Sequence, residues 1–166
     1  MILTPAQTCG PLFGFALTPP AVTQAVSEDH PDAIVIEGML LDGRGDHVDY
    51  GAFLEFWSDE QACRVRTLEG RFRAVVRKPA PVTLADGHTL APQLGIFIFT
   101  RGLAGPLVTK MFFPDETEAN RSDAILQEVP EERRHLLVAQ PTGQEGHLQY
   151  DIHLQGEQES VFFSLD

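Results

Sequence analysis

The chain has 166 residues, a mass of 18.3 kDa and a formal charge of −12, from 12 basic against 24 acidic side chains. That surplus of acid argues against nucleic acid as a partner, because phosphate binding needs clustered Lys and Arg. A chain of this length buries about 70% of its unfolded surface, so its core needs neither a metal nor a disulfide.

Length also predicts one domain over residues 1–166. No apolar run approaches the roughly 20 residues of a membrane-spanning helix. The opening Met1-Ile2-Leu3-Thr4-Pro5 lacks a basic leader, which predicts a cytoplasmic protein. Cys9 and Cys63 are then expected as free thiols.

Residues 1–17 alternate prolines and glycines with large aromatics, the pattern of an extended arm, and residues 18–32 read as loop. Ala33 to Leu41 predicts a strand, turned at Asp42-Gly43-Arg44-Gly45-Asp46. Val48 to Trp57 returns, with Ala52, Leu54 and Phe56 on one face and Phe53, Glu55 and Trp57 on the other. Ala62–Arg66 and Arg71–Arg77 read as a further hairpin joined at Leu68-Glu69-Gly70, and Lys78 to Ala91 as loop. Leu94, Ile96 and Ile98 line one face of the next strand, and Phe97 and Phe99 the other. A strand apolar on both faces is expected to be covered on each side. The run Leu107 to Phe113 pairs with it across the loop Arg101-Gly-Leu-Ala-Gly-Pro106. Asp115 to Arg134 is the best helical stretch, broken at Pro130, and Leu136–Ala139, His147–Leu154 and Ser160–Leu165 read as closing strands. Many short strands with little helix predict an all-β sandwich.

Three features invite chemistry. Asp42-Gly43-Arg44-Gly45 resembles the start of a dinucleotide fingerprint, but the third glycine is missing and a strand follows where a helix should open, so it reads as a turn. His147, Gln149, Asp151 and His153 share one strand face. An outward polar face is the plain reading; an independent metalloenzyme using His147, Asp151 and His153 is the alternative. Glu55, on an otherwise apolar strand, needs a partner, and Arg71 or Arg73 on the next hairpin is expected to supply it.

Several blocks carry a resemblance. Ile36-Glu-Gly-Met-Leu-Leu-Asp-Gly-Arg-Gly-Asp-His-Val, leading into Phe53-Leu54-Glu55-Phe56-Trp57, resembles the first hairpin of the intradiol ring-cleaving dioxygenases. The arm Thr4-Pro5-Ala6-Gln7-Thr8-Cys9-Gly10-Pro11, the segment Met111 to Asn120 and the ending Asp151 to Phe163 are similar to the alpha chains of the protocatechuate-cleaving members of that family.

The resemblance implies a sandwich that pairs with a homologous iron-binding beta chain in a hetero-oligomer. That partner's ferric ion, held by two tyrosines and two histidines, would support cleavage of protocatechuate between its hydroxyls. This chain is expected to bind no iron and to hold no catalytic residue. It reads Gln93-Leu94-Gly95 where iron-binding members carry His-x-His, and Lys78-Pro79-Ala80-Pro81-Val82 where they carry a tyrosine. Tyr50 and Tyr150 match no ligand position. What the resemblance leaves to this chain is substrate contact, through Thr8, Gly10 and Pro11 in the arm and Arg101 after the central strand. A guanidinium there suits an aromatic carboxylate. The alternative is a stand-alone binding or scaffold module.

Overall fold

A computed structural model describes residues 16–48 and 51–164. Strand β1 (Ala33–Leu41) lies at the centre of the first sheet, antiparallel to β4 (Arg71–Arg77). Its other edge runs parallel to β10 (His147–Gln149) and β11 (Ile152–His153), and β9 (Gln140–Pro141) lies beyond β10. The second sheet has four antiparallel strands in the order β3 (Gln61–Arg66), β2 (Phe53–Ser58), β7 (Gln93–Phe99), β8 (Leu107–Phe112). A small separate ribbon joins β5 (Val82–Thr83) to β6 (Thr89–Leu90) within the segment expected to be loop.

The core lies between the two sheets. Ile36 and Leu40 of β1 and Ala74 and Val76 of β4 meet Leu54 and Phe56 of β2 and Leu94, Ile96 and Ile98 of β7, all fully buried. Burial at this depth stabilises by about 1.5–3 kcal/mol per large side chain, which makes the period-two pattern of β2 and β7 a strong determinant of orientation. The sandwich expected from the sequence is thus formed by faces assigned in advance.

The connections differ from expectation. The strand after the Asp42–Asp46 turn does not return beside β1, because β2 pairs with β3 and β7 in the opposite sheet. Likewise β3 and β4 are not hydrogen-bonded partners. The tight turn at Glu69 (φ 50°) and Gly70 (φ 71°) carries the chain from one sheet to the other. Both segments have correct strand patterning, but alternation fixes which face is buried and leaves the neighbour open.

The helical segment divides into α1 (Thr117–Ser122), α2 (Ala124–Glu128) and a 3₁₀ helix (Glu131–Leu137), with Pro130 at the last break as expected. Asp123 organises it. Its Oδ1 accepts from the backbone N–H of Ile125 and Leu126 at 2.9 and 3.0 Å, and its Oδ2 from that of Ala91 at 2.8 Å. Leu126, Val129 and Leu137 then pack with Phe112 and Ala91 in a second cluster at the edge of β8. Leu136–Ala139 is therefore not a strand: the 3₁₀ helix runs through Leu137, and Val138 contributes one bridge to Phe112. Residues 160–164 also form no strand, although Phe163 N–H donates to Val108 O at 2.8 Å.

The predicted 147–154 strand is real but interrupted. Val35 pairs with His147 and Leu41 with His153, so one register holds on both sides of Tyr150–Asp151. At the break Tyr150 N–H donates to Glu37 O, and Asp151 Oδ1 accepts from Met39 N–H at 2.9 Å. Gly38 lies opposite, where a Cβ would stand 2.7 Å from the Tyr150 carbonyl carbon.

Candidate functional site

Arg101 sits at the tip of the β7–β8 hairpin, in an exposed turn where Gly102 takes φ 89° and Leu103 N–H donates back to Thr100 O. The strands feeding this loop are fixed by the core, so the guanidinium stands on a rigid base. Its charge meets no ion-pair or hydrogen-bond partner among the described residues. The loop borders an open groove of about 800 Å³, shared with the Asp42–Gly43 turn, His47 and the tail residues Gln155, Glu159 and Phe162. Asp42 contributes a fixed negative charge: N–H groups of Arg44 and Asp46 donate to its carboxylate at 2.8 and 3.0 Å and hold its pKa below the ordinary value. The turn expected at 42–46 is therefore built on an aspartate, and no phosphate loop is formed. Thr8, Gly10, Pro11 and Cys9 lie outside the described residues.

A second concavity opens on the outer face of the four-stranded sheet. Cross-strand pairing aligns Trp57 of β2, Gly95 of β7 and Lys110 of β8 in one row. The Trp57 indole lies across Gly95, its N–H buried without a partner among the described residues. Around this row, Pro79, Ala80, Pro81, Val82, Leu90 and Gln93 enclose a cavity of about 290 Å³. The two segments in which the resemblance places iron ligands of other members, 78–82 and 93–95, thus converge on one cavity in this chain as well. The donor set does not fit a ferric ion. Prolines, a glycine, a carboxamide and an ammonium offer it no imidazole, thiolate or phenolate. Tyr150 is turned into the core, where its hydroxyl donates to Lys110 O at 2.9 Å and burial holds its pKa far above the ordinary value. Tyr50 lies outside the described residues.

The polar face of the 147–153 segment is satisfied locally. Gln149 Nε2 donates to Asp151 Oδ1 at 2.6 Å, and His147 Nε2 lies 2.8 Å from Gln144 Nε2. Leu148, Tyr150, Ile152 and Leu154 occupy the core side, so the face with His147, Asp151 and His153 points outward. Among the described residues no three His, Cys, Asp or Glu side chains converge as a metal site.

Glu55 is paired, but not with Arg71 or Arg73. Its partner is Arg64, directly opposite on β3, whose Nε donates to Glu55 Oε2. Arg73 is held instead by Glu28 and Glu37, and Arg71 has no ion pair among the described residues. Arg64 also lies 6.0 Å from the Phe53 ring centroid, and Phe53 stacks on Phe99 at 4.5 Å. Phe97 and Phe99 are only half-buried, so this outer sheet face is less covered than the sequence predicts.

Sequence reasoning missed Trp57, Lys110 and Asp123. A glycine in the middle of an apolar strand signals close approach by another group, and Gly95 carried that signal for Trp57. Lys110 breaks the apolar run Leu107 to Phe113 and was legible as an outward cation on that strand.

No protein-family model matches the sequence. Two curated relatives do, along almost their whole length. The protocatechuate 3,4-dioxygenase alpha chain of Burkholderia cepacia is 30% identical, with 98% of this chain and 97% of the relative covered. The protein of the same name from Pseudomonas putida is 31% identical, with 98% and 96% covered. Among solved structures, the dioxygenase domain of a dioxygenase and carbohydrate-binding fusion from Streptomyces sp. SirexAA-E superposes with a TM-score of 0.62 at 20% identity. That match covers 92% of this chain and 98% of the other. Hydroxyquinol 1,2-dioxygenase from Pseudomonas putida DLL-E4 gives a TM-score of 0.61 at 18% identity, over 82% of this chain and 60% of the other. The structural matches establish the fold. Identity sustained from end to end establishes the rest: the chain belongs to the family of protocatechuate 3,4-dioxygenase alpha chains, built on the β-sandwich of the intradiol dioxygenases.

Proposed function

We propose that this chain is the iron-free alpha subunit of a protocatechuate 3,4-dioxygenase, a single-domain protein of the cytoplasm that joins a homologous beta chain in a hetero-oligomer. In this reading the ferric ion belongs to the beta chain, and protocatechuate is cleaved there to 3-carboxy-cis,cis-muconate. The alpha chain walls the pocket with its arm, through Thr8, Gly10 and Pro11, and presents Arg101 to the substrate carboxylate.

The observation that carries this reading is the pairing of end-to-end similarity to alpha chains with a 93–95 segment whose Gln and Gly cannot serve as ferric ligands. Arg101 supports it further. It is exposed on a hairpin anchored by Leu94, Ile96 and Ile98, and its charge is not consumed by an internal ion pair. A guanidinium so placed can make the paired, charge-assisted contacts a carboxylate accepts.

The test uses the complex co-expressed with the neighbouring homologue. Arg101→Ala should raise KM for protocatechuate about tenfold, the loss of one charge-assisted contact, with kcat and Tm little changed. Unchanged KM removes the role given to Arg101. Stoichiometric iron in this chain purified alone overturns the assignment of iron to the partner.

A further inference from the structure

The cavity beside Trp57 has a polar character of its own. Lys110 is one of only two lysines in the chain. The other, Lys78, is engaged by Asp115 and by Glu116, the latter at 3.0 Å. The ammonium of Lys110 has no ion pair or hydrogen bond among the described residues, in a chain with twice as many acidic as basic side chains. The neighbouring strand cannot screen it either, because its cross-strand partner is Gly95. Burial lowers the Lys110 pKa, with the charge of Asp123 opposing that effect.

A half-buried cation without a partner is costly in the free protein and favourable towards an incoming anion. Much of its desolvation has already occurred on folding. The rest of the wall is apolar, with Pro79, Pro81, Val82 and Leu90 facing the Trp57 side. At about 290 Å³ the space falls at the small end of ligand sites, which run from roughly 300 Å³ upward, so it suits a single ring. Asp59 and Glu60 complete the lining and are exposed. Two carboxylates beside the opening repel phosphates and dicarboxylates more strongly than a single carboxylate.

We propose that this cavity binds a small organic monoanion, a carboxylate on an apolar body of about one six-membered ring, with Lys110 as its counter-ion and Trp57 against its face.

Trp57 is the only tryptophan in the chain, so the emission of the full-length protein reports on this cavity directly. Benzoate, titrated at neutral pH and constant ionic strength, should change that emission saturably. Benzyl alcohol, similar in size but uncharged, should bind about tenfold more weakly, the difference made by a charge-assisted contact. Lys110→Gln should weaken benzoate binding by a similar factor while leaving Tm at or above the wild-type value, because an unpaired desolvated charge is removed. Lys78→Gln should leave binding as it is. Equal benzoate affinity in the wild type and Lys110→Gln overturns the proposal, as does equal binding of benzyl alcohol or a response that never saturates.

Discussion

Trp57 and Gly95 face each other across β2 and β7, and a Cβ at position 95 would stand 2.5 Å from both Cζ2 and Nε1 of the indole. No real contact is that short, so a side chain at 95 must displace the ring. Trp57 is also stacked on Phe97, with centroids 5.7 Å apart and planes 18° from parallel. Gly95→Ala should therefore cost about 2–3 kcal/mol, combining overpacking with loss of the stack. Denaturant unfolding of the purified chain measures it. Gly105→Ala is the control: a Cβ there meets nothing within 4 Å, and stability should stay within about 0.5 kcal/mol.

Asp123 ties two regions together, capping α2 while holding Ala91 just before β7 begins. It is fully buried with its carboxylate used on both oxygens. Asp123→Ala should cost about 3 kcal/mol, since it removes a cap and leaves buried N–H groups unpaired. Asp123→Asn keeps one acceptor oxygen and should cost less. Faster tryptic cleavage at Arg121 in the alanine variant would show that the helical segment has come loose, and equal cleavage would refute the tie.

Alkaline conditions should destabilise the fold in a defined window. Burial pushes the Cys63 thiol up to about 12 and the Tyr150 hydroxyl higher still. In the unfolded chain these groups release protons near pH 8.5 and pH 10, as ordinary thiols and phenols do. Above those values the unfolded state binds fewer protons than the native state, so stability falls as pH rises, by about 1.4 kcal/mol per pH unit for each group. Cys63→Ala should flatten the slope of stability against pH between about pH 9 and pH 11 by one group's worth. Peptide mapping after iodoacetamide at pH 8 should find Cys63 unmodified until the chain unfolds.

The parts of the fold legible in the sequence are those in which one strand declares its own faces. Leu94, Ile96 and Ile98, or Ala52, Leu54 and Phe56, are apolar at a period of two, and the core lies where that pattern points. The β7–β8 hairpin was legible for a further reason, since its glycine- and proline-rich connector is short enough to force adjacency. What alternation cannot convey is the neighbour. Val48 to Trp57 reads as a return to β1 and instead joins the other sheet. For the same reason Glu55 finds Arg64, nine residues along the next strand, and not Arg71 or Arg73. Leu136–Ala139 misled because a 3₁₀ helix and a short buried strand share the same apolar run. Of the candidate site, Arg101 was visible as a cation leaving a buried strand. The Trp57–Gly95–Lys110 row depends on register across three strands, which no single stretch of sequence contains.

That pairing of β1 with β10 and β11 has a consequence for synthesis. Val35 meets His147 and Leu41 meets His153, each across 112 residues of chain. At roughly 5–20 residues per second, a ribosome takes on the order of ten seconds to make the missing edge after β1 has emerged. Throughout that interval β1 can pair with β4 but presents its other edge unfilled, and a long unpaired edge is what draws a nascent chain into aggregates. The last forty or so residues therefore finish the sandwich instead of decorating it. A chain stalled shortly before His147 should be far more susceptible to aggregation and proteolysis than its near-complete length suggests.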